Sequence, residues 1–78
     1  MKPVKRSFNI AGHRTSISLE APFWEALKDL AEAQSIPLAH LVARVDQKRG
    51  ATNLSSAVRI YILMQYRSIR SLPRAAPG

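Results

Sequence analysis

The sequence predicts a mainly α domain: one N-terminal strand followed by three helices, with the strand completed by a second copy of the chain. Three observations carry that expectation. Residues 14–19 alternate between apolar and polar, whereas the rest of the chain repeats at helical spacing. Breaks at Ser35-Ile36-Pro37 and Arg49-Gly50-Ala51-Thr52-Asn53 divide the helical part into three. The last helix is apolar on nearly every side, and 78 residues offer too little chain to cover it.

Residues 1–6 read as a flexible basic arm. Ser7-Phe8-Asn9-Ile10 alternates briefly and fits a short extended segment, which Ala11-Gly12 interrupts. From Arg14 the alternation returns. Thr15, Ile17 and Leu19 point one way, and Arg14, Ser16 and Ser18 the other, as in a half-buried strand rich in β-branched residues. A lone strand leaves its backbone N–H and C=O groups without partners. Antiparallel pairing with the same strand of a second protomer, across a two-fold axis, satisfies them.

Pro22 suits the first turn of a helix, where its missing N–H costs nothing, and Glu20 and Glu25 lie near the positive end of that helix. The helix runs to about Gln34 with Phe23, Leu27, Leu30 and Ala31 as its apolar stripe; Trp24 is expected in the core or in dimer packing. A second helix spans roughly 38–48, with Leu38, Leu41, Val42 and Val45 on one face and Gly50 as its stop. The third starts near Leu54 and ends about Ser68, capped by Asn53 or Ser55. Leu54, Val58, Tyr61, Ile62 and Gln65 define one face, while Ala57, Ile60, Leu63 and Met64 widen the apolar surface. The dimer core expected from this pattern is Ile17, Leu19, Val58, Tyr61 and Ile62. Arg59 interrupts the third helix and either reaches solvent or pairs across the dimer with Glu25 or Asp46. Residues 7–70 form the domain and 71–78, with Pro73, Pro77 and Gly78, a disordered tail.

Charge points to a polyanionic partner. The net charge is +7 and it is unevenly spread: +4 over residues 1–14, −3 over 15–35, +2 over 36–50 and +4 over 51–78. The longest apolar run, Ile60 to Met64, is far short of the ~20 residues that span a bilayer, and no signal-peptide pattern is present, so a cytoplasmic location is expected. There is no cysteine, which excludes disulfides, thiolate metal sites and a thiol nucleophile. His13 and His40 have no third ligand at useful spacing, so neither a metal nor any other cofactor is expected. The five acids suit helix-surface pairs, and no glycine-rich phosphate loop is present. The chain is therefore expected not to be an enzyme.

Gly12-His13-Arg14-Thr15-Ser16, Phe23-Trp24-Glu25-Ala26-Leu27 and Asn53-Leu54-Ser55-Ser56-Ala57-Val58-Arg59, in this order, resemble the short bacterial ribbon-helix-helix-domain proteins over about residues 7–67. The resemblance implies an intertwined dimer whose β-ribbon enters the major groove of double-stranded DNA. It implies base contacts from Arg14, Ser16 and Ser18. It also implies a phosphate clamp at the N-terminus of a later helix. Two segments compete for the clamp. Ser35-Ile36-Pro37-Leu38 follows the first helix directly, but Pro37 stands where a serine or threonine is usual and has no N–H. Asn53, Ser55 and Ser56 keep the polar side chains but follow an extra helical segment. Lys5 and Arg6 of the arm are further phosphate candidates.

The function expected is sequence-specific transcriptional control on the nucleoid, as a repressor or autoregulator, with dimers possibly associating further along DNA. Two alternatives stand beside it. An antitoxin would bind a toxin protein, but only about ten residues follow the last helix, too few for a long wrap. A protein-interaction module would dock another chain through its apolar third helix.

Overall fold

The computed structural model describes residues 1–71, without the side chains of residues 70 and 71; the tail expectation for 72–78 lies outside the described residues. Two strands lead, β1 (Pro3–Ile10) and β2 (His13–Glu20), and three helices follow: α1 (Ala21–Ala33), α2 (Leu38–Lys48) and α3 (Leu54–Ser71). The three helices lie where the sequence puts them. The strand region does not.

β2 is not alone. It pairs antiparallel with β1 of the same chain over its whole length, from Pro3 opposite Glu20 to Ile10 opposite His13. This corrects two expectations. The strand's first partner is its own chain rather than a second copy, and Pro3 to Arg6 belong to β1 instead of a flexible arm. The physical reason is the two-residue link. Ala11 (φ 52°) and Gly12 (φ 82°) both adopt the left-handed region, the geometry of a type I′ turn, whose twist matches that of paired strands. Glycine takes this conformation freely, and one alanine tolerates it at modest cost.

The hairpin lies on the helices by one face. Ile17 and Leu19 of β2 are completely enclosed, together with Leu27 of α1, Leu41 and Val42 of α2 and Val58 of α3. Ile10 of β1 is buried as well, with Phe8 packed against the same core. Trp24 is in the core, as expected, and also fastens the hairpin. Its indole N–H donates to the Val4 carbonyl at 2.8 Å, Phe8 lies 6.0 Å from it between ring centroids, and the Arg6 guanidinium sits 5.2 Å from its ring centre.

Local chemistry sets the helix ends. Pro22 occupies the first turn of α1. α1 stops where Ser35 turns to φ 56°, and the Ser35 and Ile36 N–H groups return to the Glu32 and Ala31 carbonyls, both at 3.0 Å. α2 ends before Gly50, at φ 60°. Of the two cap candidates for α3, Asn53 does the work: its Oδ1 accepts the Ser56 N–H at 3.2 Å.

The residues expected to form a dimer core are arranged differently. Ile17, Leu19, Val58 and Ile62 are buried inside the single chain, and Tyr61 is half-buried at its edge. The chain covers its own strand because the hairpin doubles the apolar sheet face laid on the helices. What it leaves uncovered is elsewhere on α3.

Candidate nucleic-acid interface

The antiparallel register decides which side chains share the outer face of the hairpin. Residues directly opposite project to the same side and successive residues to opposite sides. Asn9 is opposite Arg14, Ser7 opposite Ser16, and Lys5 opposite Ser18. Since Ile17 and Leu19 face the core, these six residues lie on the outer face, with the Pro3–Glu20 pair at its far end. Five of them are exposed and Ser18 is half-buried. The Ser7 and Ser16 hydroxyls lie 3.3 Å apart across the two strands.

The three expected base-contact residues, Arg14, Ser16 and Ser18, are therefore brought onto one surface, and Lys5 joins them. Arg6 does not. It projects from the helix side of the hairpin, over Trp24. Ser7 and Asn9 were missed by the sequence reading. The signal for them was present in the alternation of Ser7-Phe8-Asn9-Ile10 and the two-residue Ala11-Gly12 link, which together spell a hairpin.

The N-terminus of α3 stands at one edge of this face. The Ser55 hydroxyl accepts the backbone N–H of Ser18 at 3.1 Å. Arg59 donates to the Ser18 carbonyl at 3.3 Å and to Glu20 Oε1 at 3.1 Å. Both backbone groups of Ser18 thus turn away from β1 and are held by α3. Within this chain Arg59 pairs with Glu20, an acid the sequence reading did not weigh for it. A backbone hydrogen bond at Glu20 and the Arg59 guanidinium hold the Glu20 carboxyl below the usual carboxylate range. Its negative charge, at the far end of the hairpin, is thereby matched.

Asn53, Ser55 and Ser56 stand together at the start of α3, with prior engagements. Asn53 caps Ser56, and Ser55 holds the ribbon. The competing start of α2 has Pro37 at its cap and no side chain bonded there. Among the described residues, the α3 start is the helix start hydrogen-bonded to the edge of β2, at the Ser18 N–H.

In this chain a two-stranded antiparallel hairpin with a small, polar and basic outer face is backed by three helices. The ribbon-helix-helix domain model matches residues 3–66. The chain belongs to the ribbon-helix-helix family. Membership suggests a DNA-binding regulator, and the family is regulatory rather than catalytic. A solved structure of an uncharacterized protein from Bordetella pertussis Tohama I is similar, with a TM-score of 0.73 and 28% identity over 97% of this chain. This chain spans 66% of that one, just under two-thirds of its length. No curated protein matches the sequence. Among the described residues, no helix of this ribbon-helix-helix chain is long and apolar enough to cross a membrane.

Proposed function

We propose that the protein is a sequence-specific, double-stranded-DNA-binding transcriptional regulator, a repressor or autoregulator. It acts in the cytoplasm on the nucleoid, as a homodimer and without a cofactor. The observation that carries this reading is the outer face of the hairpin. Arg14, Ser16 and Ser18 lie on one exposed ribbon with Lys5, and the acid at its end, Glu20, is held by Arg59. A two-stranded ribbon fits the major groove, where arginine reads guanine and serine hydroxyls reach base edges. Small serines let the groove floor approach closely.

Lys5 and the start of α3 at Asn53, Ser55 and Ser56 take phosphate in this reading, flanking the ribbon. The link from Ser55 to Ser18 favours this helix start over that of α2. Arg6 contributes charge from the other side, next to Trp24. A dimer doubles the reading face and gives a two-fold repeated site.

The test is selection of bound duplexes from a random pool, followed by binding to the enriched site over a salt series. A defined motif and a steep loss of affinity with salt are expected. Binding without any enriched motif, or a flat salt response, would remove the reading.

A further inference from the structure

A groove of about 370 Å³ opens between α2 and α3, and no residue of the hairpin lines it. Two helical stripes build it. On α2, Leu41, Arg44, Val45 and Lys48 fall at i, i+3, i+4 and i+7; on α3, Ala57, Ile60 and Tyr61 fall at i, i+3 and i+4. Leu41, Val45 and Ala57 are buried and make the floor. Ile60 and the half-buried Tyr61 make the α3 wall, and Arg44 and Lys48 stand exposed along the α2 rim. The volume falls within the range of small-molecule sites, and an apolar floor with a few placed polar groups is their usual composition.

The charge of the rim says what such a molecule would carry. Arg44 and Lys48 are i, i+4 neighbours, roughly 5–6 Å apart at Cβ, and like charges at that spacing repel. Among the described residues, neither has an acid within ion-pair distance. Asp46, two residues from each of them, lies on another side of α2 and is bound by Arg49 at 2.7 Å. Arg44 is nonetheless held in place. Its Nη1 donates to Gln34 Oε1 at 3.0 Å, and Gln34 Nε2 donates to the Tyr61 hydroxyl at 3.0 Å. A neutral amide is its partner, so its charge stays uncompensated while its position is set, which lowers the ordering cost of binding.

We propose that the groove between α2 and α3 binds a small apolar carboxylic acid. Its carboxylate lies between Arg44 and Lys48, takes charge-assisted hydrogen bonds from both and relieves their repulsion. Its apolar body lies over Leu41, Val45 and Ala57, against Ile60 and Tyr61, and covers part of the exposed Ile60 side chain. The balance of charge selects a monoanion: Asp46, although paired, adds negative potential close to the rim, and a second charge on the ligand would meet it. The groove is separate from the outer face of the hairpin, and its occupancy does not rest on the DNA reading.

The probes are octanoate and octan-1-ol, which share a chain and differ in charge. Each is titrated into the full-length, isotope-labelled protein at neutral pH, and backbone amide shifts are followed by NMR. Octanoate should give saturable shifts confined to α2, residues 49–53 and α3 as far as Gln65. Octan-1-ol should bind at least about tenfold more weakly, the scale of a lost charge-assisted hydrogen bond. Arg44→Gln combined with Lys48→Gln should weaken octanoate by about the same factor. It should leave octan-1-ol binding and the circular-dichroism spectrum unchanged, because both side chains are exposed. Leu63→Asn, on exposed apolar surface outside the groove, should change neither affinity.

Equal binding of the two probes overturns the proposal, since it would mean apolar contact without a carboxylate site. So does full octanoate affinity in the double variant, or an octanoate response centred on Leu63 and Ile69. A groove covered by a second copy also overturns it: the groove amides would then shift on dilution of the free protein, and octanoate would not bind.

Discussion

The outer face of the hairpin and the outer surface of α3 are both exposed, yet they are built from opposite chemistry. The hairpin shows Lys5, Ser7, Asn9, Arg14, Ser16 and Ser18, polar and basic, with large apolar residues turned inward. α3 shows Ile60, Leu63, Met64, Tyr66 and Ile69. One surface is polar and basic, suited to water or a polyanion; the other is apolar. The sequence reading gave the strand both base reading and dimer pairing, and took the apolar third helix as a further ground for a dimer. Under the proposed function the hairpin is the surface that meets DNA, while α3 carries the exposed apolar residues.

The prediction with the largest expected effect removes the support of the hairpin. Trp24→Ala deletes a buried indole, its bond to the Val4 carbonyl and its contacts with Phe8 and Arg6. Truncations of this kind cost ~3–5 kcal/mol. Chemical denaturation should show a loss in that range. A loss below about 1 kcal/mol would mean that the hairpin does not rest on α1 through this residue.

The next change sharpens the contrast at the reading face. Arg14 is exposed and makes no core contact. Arg14→Ala should leave stability within ~0.5 kcal/mol while costing ~1–3 kcal/mol of specific DNA affinity and relaxing the site preference. Unchanged affinity and preference in a gel-shift series would take base reading away from this strand.

Asn53→Ala tests the start of α3. Loss of the cap on the Ser56 N–H should cost ~1 kcal/mol. If this helix start also meets phosphate, the salt dependence of DNA binding should become shallower, and a binding isotherm at several salt concentrations reads both effects. The smallest effect concerns Glu20. Its carboxyl lies below the usual range in the folded chain, so the stabilisation is present at neutral pH and is lost as pH falls through the folded value. Arg59→Gln should flatten the acid limb of the stability curve relative to wild type. An identical acid limb in both would mean that the pair does not hold the edge of β2.

Much of the fold was legible because local rules agree with the final packing. The three helices follow from 3.6-residue periodicity, two of their starts from Pro22 and Asn53, and one stop from Gly50. The alternation from Arg14 to Leu19 correctly assigned Arg14, Ser16 and Ser18 to one face and Ile17 and Leu19 to the core. β1 was harder to read. Pro3-Val4-Lys5-Arg6 carries charge at a position on the helix side of the hairpin, where Arg6 stays exposed with its guanidinium 5.2 Å from the Trp24 ring centre. No periodicity announces a guanidinium stacked on an indole from a distant helix. Arg59 was illegible for the same reason: Glu20 lies 39 residues away in sequence.

By itself, the sequence determined what each segment is made of: where chain periodicity changes, which face of each helix is apolar, and which strand face is small and basic. These are local properties, set by side-chain spacing. Only the tertiary structure decided which element completes which. It paired β2 with β1, used Ser55 and Arg59 to hold the free edge at Ser18, and left Ile60, Leu63, Met64 and Ile69 of α3 exposed. The physical reason is that backbone hydrogen bonds and apolar area can be satisfied by any nearby partner. Which partner is nearest depends on a two-residue turn and the packing of three helices, not on any one segment alone.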